Sequence, residues 1–275
     1  MPRWGSSETV DRAEYPPMID LPLDAELSRS LDLHTRHPRL DVLWATGAVR
    51  LTDAPEVCPE GEWRSLEYLD WKSGGDTHFA PLASVDGGMN CVGFSNLRRA
   101  DKDGIWTANA SVAPSLQRYV QDVGGNFGRV RVISLKPQAR SEAKTLLHRD
   151  QNNRYNPENA GWVVRSWLEL TDNPDSYMML MDNDPDGYPD PATEIRIPLH
   201  RGSRFVVDTQ RLWHVVVHRG DQPRHGLISS FESGPELDRW IRRNRSLPAR
   251  FADAYPAAGE PLKQLRSLTR RLKTR

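Results

Sequence analysis

Apolar and polar positions change rhythm three times along the chain. Residues 1 to 24 contain four prolines and little periodicity, which reads as an irregular arm. Asp24 is a plausible N-cap for a helix running towards His37, with Pro38 as its stop. Between residues 40 and 110, short apolar runs such as Val42 to Trp44 and Cys91 to Phe94 are separated by Gly, Asp and Ser clusters, so short strands and loops are expected. From Pro114, the spacing of Leu116, Tyr119, Val120 and Val123 predicts an amphipathic helix with proline in its first turn and Gly124-Gly125 just past its end.

The rhythm then switches to strands. Arg129 to Leu135, Trp162 to Leu170, Tyr177 to Met181, Ile195 to Leu199, Arg204 to Val207, His214 to Val217 and Gly226 to Phe231 all carry β signals. Short strands in such a series, with no intervening helix, predict an antiparallel sandwich or barrel. Helical spacing returns in Pro235 to Arg245, where Leu237, Trp240 and Ile241 share a face. The tail Pro261 to Arg275 holds six basic residues and no acidic ones, which reads as a solvated helix or terminus, with a partner or RNA contact as the other reading.

Composition narrows the classes only a little. A chain of 275 residues with 37% apolar content can bury one large core, and nine tryptophans suit an aromatic core or a substrate cleft. Thirty-seven basic residues balance 37 acidic ones, so overall charge argues for neither nucleic acid nor a membrane surface. Two distant cysteines, Cys58 and Cys91, make no disulfide framework, and no apolar leader or membrane-length stretch occurs, so a cytoplasmic protein is expected.

His148-Arg149-Asp150 sets an imidazole and a carboxylate two residues apart, able to point to one side of an extended segment. Such a pair is common by chance. His214, sixty-six residues on at the start of an apolar strand, is a third ligand of the kind that closes a site on one face of a barrel. Two imidazoles and a carboxylate suit iron(II) and leave three positions open, enough for a chelating oxo-acid and dioxygen. Arg224 follows ten residues later, where a guanidinium can grip the far carboxylate of 2-oxoglutarate through two parallel hydrogen bonds.

Three segments, VRVISLKPQARSEAKTLLHRD, VVRSWLELTDNPDSYMML and GSRFVVDTQRLWHVVVHRGDQPRHGLISSF, resemble the aspartyl/asparaginyl β-hydroxylase-like group of iron(II)- and 2-oxoglutarate-dependent oxygenases, which also includes bacterial proline hydroxylases and amino-acid halogenases. The likeness spans roughly Arg129 to Phe231. Leu135 to Pro137 match the Leu-x-Pro before the His-x-Asp pair; Gly202 and Asp208 match the Gly and Asp before the distal histidine; Arg224 matches the arginine after it. The resemblance implies a double-stranded β-helix (jelly-roll, cupin-like) core over 128–232. An N-terminal arm and mixed α/β extension would occupy 1–127, and a C-terminal helical basic tail 233–275.

It further implies hydroxylation of an amino acid, or of an amino-acid residue in a peptide or carrier-bound intermediate, with iron(II), 2-oxoglutarate and dioxygen. Some members bind the oxo-acid through an Arg-x-His pair, which falls here on Arg165 and Trp167; the histidine is missing, and Arg165 is either a second co-substrate contact or a structural ion pair. In halogenating members a small residue replaces the carboxylate. Asp150 is present, so hydroxylation is implied. A cupin-like binding protein without turnover and a zinc hydrolase on the same ligands remain as other readings.

Other motifs carry weaker signals. Asp182 to Gly187 opens like a calcium loop, but Thr193 stands where a glutamate is needed and prolines exclude the flanking helix, so a hairpin loop is expected. His34 and His37 lack an acidic partner. The loop 151 to 161, with Asn152, Asn153 and Arg154, is expected to face substrate, and His218 to share the face of His214.

Overall fold

The computed structural model describes residues 40–44, 46–70, 77–90, 93–138 and 140–245. The expected N-terminal arm, the helix after Asp24, Cys91 and the basic tail lie outside the described residues. In chain order the elements are α1 (Asp41–Trp44), β1 (Ala48–Arg50), α2 (Glu60–Arg64), β2 (Leu69–Asp70), β3 (Thr77–Ser84), β4 (Ile105–Trp106), α3 (Ala108–Val112), α4 (Pro114–Gln121) and β5 (Phe127–Leu135). They continue with α5 (Arg140–Thr145), β6 (Val163–Glu169), β7 (Asn173–Met181), β8 (Ile195–Leu199), β9 (Arg204–Val207), β10 (Trp213–Val217), β11 (Arg224–Glu232) and α6 (Pro235–Asn244).

Two antiparallel sheets face each other. The larger runs β1-β9-β6-β11-β5-β3-β2, with β4 beside β3; the smaller runs β10-β7-β8. A reciprocal bridge between His148 and His214 adds an extended segment at the β10 edge of the smaller sheet. From β5 onward the chain crosses repeatedly between the sheets, with β7 and β8 a hairpin within the smaller one, and every pairing stays antiparallel, which is the double-stranded β-helix arrangement.

Alternation decides which half of each strand meets what. Val130 and Val132 of β5, Val164 and Leu168 of β6, and Leu227 and Phe231 of β11 join the cluster that holds Leu116 and Val120 of α4 and Leu237, Trp240 and Ile241 of α6. Each such buried side chain contributes about 1.5 to 3 kcal/mol. The opposite faces point between the sheets. There Trp167, Phe205 and Val207 meet Met178, Leu180, Ile197, Leu199 and Leu212. A third cluster, with Trp213, Val215 and Met179, packs beneath Ala143 and Leu147 on the outside of the smaller sheet.

The inward face of the larger sheet turns polar along part of its length. Arg131 lies opposite Ile228, and Ser230 opposite Arg165, and directly paired residues share a face. Charged side chains therefore occupy positions that a simple sandwich would fill with aliphatics.

The structure departs from the sequence reading in local ways. The strand series was expected to contain no helix, yet Arg140–Thr145 forms one; six residues with Ala143 as the buried side chain are too few to show a period. The apolar run at Val42 lies in a helical turn and not a strand. Strand β7 starts at Asn173, ahead of the expected Tyr177, through an irregular stretch between Asn173 and Tyr177. Among the described residues no helix is long and apolar enough to cross a membrane.

Candidate metal centre

His148 and His214 are brought together by backbone. The His148 N–H donates to the His214 carbonyl at 3.3 Å, and the His214 N–H to the His148 carbonyl at 2.9 Å. A directly opposed pair places both side chains on one face. Asp150, two residues further along the extended segment, points the same way, its N–H tied to the Thr209 carbonyl at 2.9 Å. Asp208 fixes the turn that leads into β10: its carboxylate accepts from the Arg211 N–H at 3.1 Å and from Trp162 Nε1 at 3.0 Å.

The three side chains offer one ligand atom each, all within 4.8 Å of one another. His148 Nε2 lies 3.9 Å from Asp150 Oδ1, and His214 Nε2 lies 3.9 Å from Asp150 Oδ2. Both imidazoles are oriented in the same way. Nδ1 of His148 donates to the Leu146 carbonyl at 2.8 Å, and Nδ1 of His214 to the Leu212 carbonyl at 3.2 Å. A carbonyl only accepts, so the proton sits on Nδ1 and the Nε2 lone pair is left for a cation.

Access is lopsided: the His148 side chain is 57% exposed and that of His214 is 7% exposed. Burial, together with repulsion from His148, pushes the His214 imidazole down to about 3. Burial would raise the Asp150 carboxyl, but the charges of Arg165, His214 and His148 overcome it and hold the group well below the usual carboxylate range. Two imidazoles that turn Nε2 to a common point and one ionised carboxylate are a donor set that fits a divalent first-row metal.

Arg165, Trp167 and Glu169 alternate inward along β6. Arg165 sits against the metal cluster, its Nε donating to Asp150 Oδ2 at 2.6 Å. Trp167 stacks on Phe205, centroids 5.3 Å apart, and turns an edge to His214 at 6.3 Å. Its buried Nε1–H has no hydrogen-bond partner. Glu169 and Arg224 form a fully buried fork: Arg224 Nε donates to Glu169 Oε2 at 2.8 Å and Nη2 to Oε1. Gly226 lies between them on the same face, where an added Cβ would stand 2.8 Å from Arg224 Nη2 and 3.1 Å from Glu169 Oε1. The arginine side chain therefore folds back over Gly226 into the space between the sheets. Five N–H donors less the two spent on Glu169 leave the outer edge of the guanidinium free to take another acceptor.

Other expectations resolve differently. Asn152 and Asn153 do not face a cleft: Asn152 accepts from Arg165 at 2.8 Å and donates to Thr209 at 2.9 Å, while Asn153 caps the start of β6 through the Val163 N–H and carbonyl. Both are buried, and they brace the site from behind. His218 is also buried, donating from Nε2 to the Gln222 carbonyl at 2.8 Å and accepting at Nδ1 from Ser176 at 2.8 Å, so both nitrogens are spent on the fold. The acidic loop after β7 is a set of turns in which Asp184 accepts the N–H groups of Asp186 and Tyr188.

Three neighbours of the site had gone unnoticed. Glu169 could have been found, since it shares the alternation of Arg165 and Trp167. Asp101 carried no local signal and reaches the site because the loop before β4 lies against β5, whereas Ser230 stands directly opposite Arg165 across β11 and β6.

Compared with known proteins, the sequence matches no family model and no curated protein. Solved structures of related shape include an oxidoreductase of the 2OG-Fe(II) oxygenase family from Burkholderia pseudomallei, with TM-score 0.44 and 12% identity over 79% of this chain and 93% of its own. HygX from Streptomyces hygroscopicus, solved with nickel and 2-oxoglutarate bound, gives TM-score 0.39 and 12% identity over 70% of this chain and 85% of its own. A Pseudomonas putida prolyl-4-hydroxylase gives 0.39 and 12% over 71% and 97%. Likeness at this level transfers no chemistry, and the functional reading rests on the site itself.

Proposed function

We propose that this chain is an iron(II)- and 2-oxoglutarate-dependent oxygenase, and within that class a hydroxylase of an amino acid or of an amino-acid residue in a larger molecule. The observation that carries the reading is the convergence of His148 Nε2, His214 Nε2 and the Asp150 carboxylate at one end of the space between the sheets. Three protein ligands on one side leave three coordination positions free. A mere metal store gains nothing from leaving them open, and among the described residues no general base of the kind a zinc hydrolase needs stands beside the three ligands.

Bound iron(II) supplies the coupling of oxo-acid decarboxylation by dioxygen to oxidation of an unactivated C–H bond. The chain supplies the rest. His148, Asp150 and His214 hold the ion, and the Leu146 and Leu212 carbonyls keep both rings turned towards it. Arg224, deeper between the sheets, offers its outer edge to the distal carboxylate of 2-oxoglutarate, with Glu169 fixing the other edge. Trp167, midway along β6, carries a buried indole N–H without a partner and is the second co-substrate donor. Phe205, Leu180 and Met178 keep that space dry, which strengthens both contacts. The exposed flank of His148 is where substrate approaches.

Purified protein supplied with iron(II), 2-oxoglutarate and air should form succinate faster in the presence of its substrate, and a panel of amino acids and peptides identifies which. No stimulation by any amino acid or peptide would count against the substrate class; zinc-supported hydrolysis in place of succinate formation would count against the oxygenase itself.

A further inference from the structure

Arg165 is 2% exposed and every edge of its guanidinium is engaged. Nε donates to Asp150 Oδ2 at 2.6 Å, Nη1 to Ser230 Oγ at 3.1 Å and Nη2 to Asn152 Oδ1 at 2.8 Å, while Nη2 also stands 3.3 Å from Asp101 Oδ2. The anchor behind it is equally fixed. Asp101 accepts from the Arg129 N–H at 2.7 Å, from Arg129 Nη2 at 3.0 Å and from Ser230 Oγ at 2.9 Å. Gly128 permits this packing, since a Cβ there would fall 2.0 Å from the Asp101 carbonyl oxygen. Swinging Arg165 away would take from Asp150 its one arginine partner and leave Asp101 with Arg129 and Ser230 alone.

The consequence falls on Asp150, whose two oxygens are no longer equivalent. Oδ2, 3.9 Å from His214 Nε2, is committed to a short, charge-assisted bond from Arg165, whereas Oδ1, 3.9 Å from His148 Nε2, accepts no hydrogen bond from the described residues. A carboxylate that bound a divalent ion through both oxygens would fill one of the three positions that a chelating oxo-acid and dioxygen require. We propose that Arg165 is a positioning residue that restrains Asp150 to one-oxygen ligation, with Asp101 and Ser230 holding Arg165 to that task. This rests on the metal reading above. It also accounts for four of the five Arg165 N–H donors, which go to Asp150, Ser230, Asn152 and Asp101.

The test uses the full chain under anaerobic conditions, with iron(II) affinity measured first and 2-oxoglutarate affinity of the iron-loaded protein second, through its visible charge-transfer band. Arg165→Gln should bind iron(II) about as well as the unmutated protein, because Asp150 gains a second contact, while 2-oxoglutarate affinity falls about tenfold or more. The double variant Arg165→Gln/Asp101→Asn removes the carboxylate that anchors Arg165 as well, and should show the same split. Arg165→Lys keeps a charge but not the fork, and should lie between. Parallel loss of iron and oxo-acid affinity in a cooperatively melting double variant, or unchanged oxo-acid affinity in it, would overturn the proposal. Absence of the band in the unmutated protein would show that the metal reading itself had failed and would take the proposal with it.

Discussion

Arg224 and Glu169 form a buried two-pronged ion pair across strands β11 and β6, with the arginine folded back over Gly226. The pair has two duties that pull apart under mutation: it neutralises two charges in a dry interior, and it aims one free guanidinium edge at the proposed co-substrate space.

Arg224→Ala should therefore destabilise the fold by about 3 to 5 kcal/mol, because it leaves the Glu169 carboxyl, which burial already pushes up, without its partner. Arg224→Met/Glu169→Met removes both charges and should recover most of that loss. In the double variant the 2-oxoglutarate requirement should still rise by about two orders of magnitude, from about 2 to 3 kcal/mol of lost charge-assisted bonding. Denaturant unfolding and an oxo-acid titration measure the two effects separately. A well-folded double variant with an unchanged requirement would place the clamp elsewhere.

Metal-free protein should lose stability on mild acidification. His214 is held neutral to about pH 3 when folded, against an ordinary value of about 6.5 when unfolded. Its contribution is thus complete above about 6.5. As pH falls from there towards 3, the unfolded chain takes up a proton that the native state refuses, and stability drops by about 1.4 kcal/mol per pH unit on this account alone. Denaturant midpoints across that range should be flatter by this amount in His214→Gln; an equal slope in both proteins would refute the assignment.

Hydroxylation should prevail over halogenation even in high chloride, because Asp150 occupies the position that a halide would need. Under labelled dioxygen the product should carry one labelled oxygen atom. A chlorinated main product would contradict the role of Asp150. Asp150→Gly should lose activity without switching to halogenation, since removing the carboxylate also strands the charge of Arg165.

Legibility in the sequence followed the range of the interactions. Strands β8, β9 and β10 were visible because alternation is a local signal, and the approach of His148, Asp150 and His214 was visible because three residues of metal-ligating type stood in the right order. The partners of the arginines were not. Whether Arg165 meets an oxo-acid or a carboxylate depends on Asp101, which lies sixty-four residues earlier in the chain and owes its place to the absence of a side chain at Gly128. Glu169 similarly reads as one more strand residue until the register of β6 and β11 sets it beside Gly226. Asn152 and Asn153 misled for the opposite reason: asparagines in a loop suggest exposed contacts, yet both turn inward to satisfy buried backbone and Arg165.

The most direct test of the oxygenase reading is an anaerobic titration of the metal-free protein with iron(II) and then 2-oxoglutarate, followed in the visible range. A weak charge-transfer band should appear only when both are present, saturate at one equivalent of iron, and vanish in His148→Ala and His214→Ala. Stoichiometric iron binding with no band on adding 2-oxoglutarate, or a band that survives loss of either histidine, would contradict it.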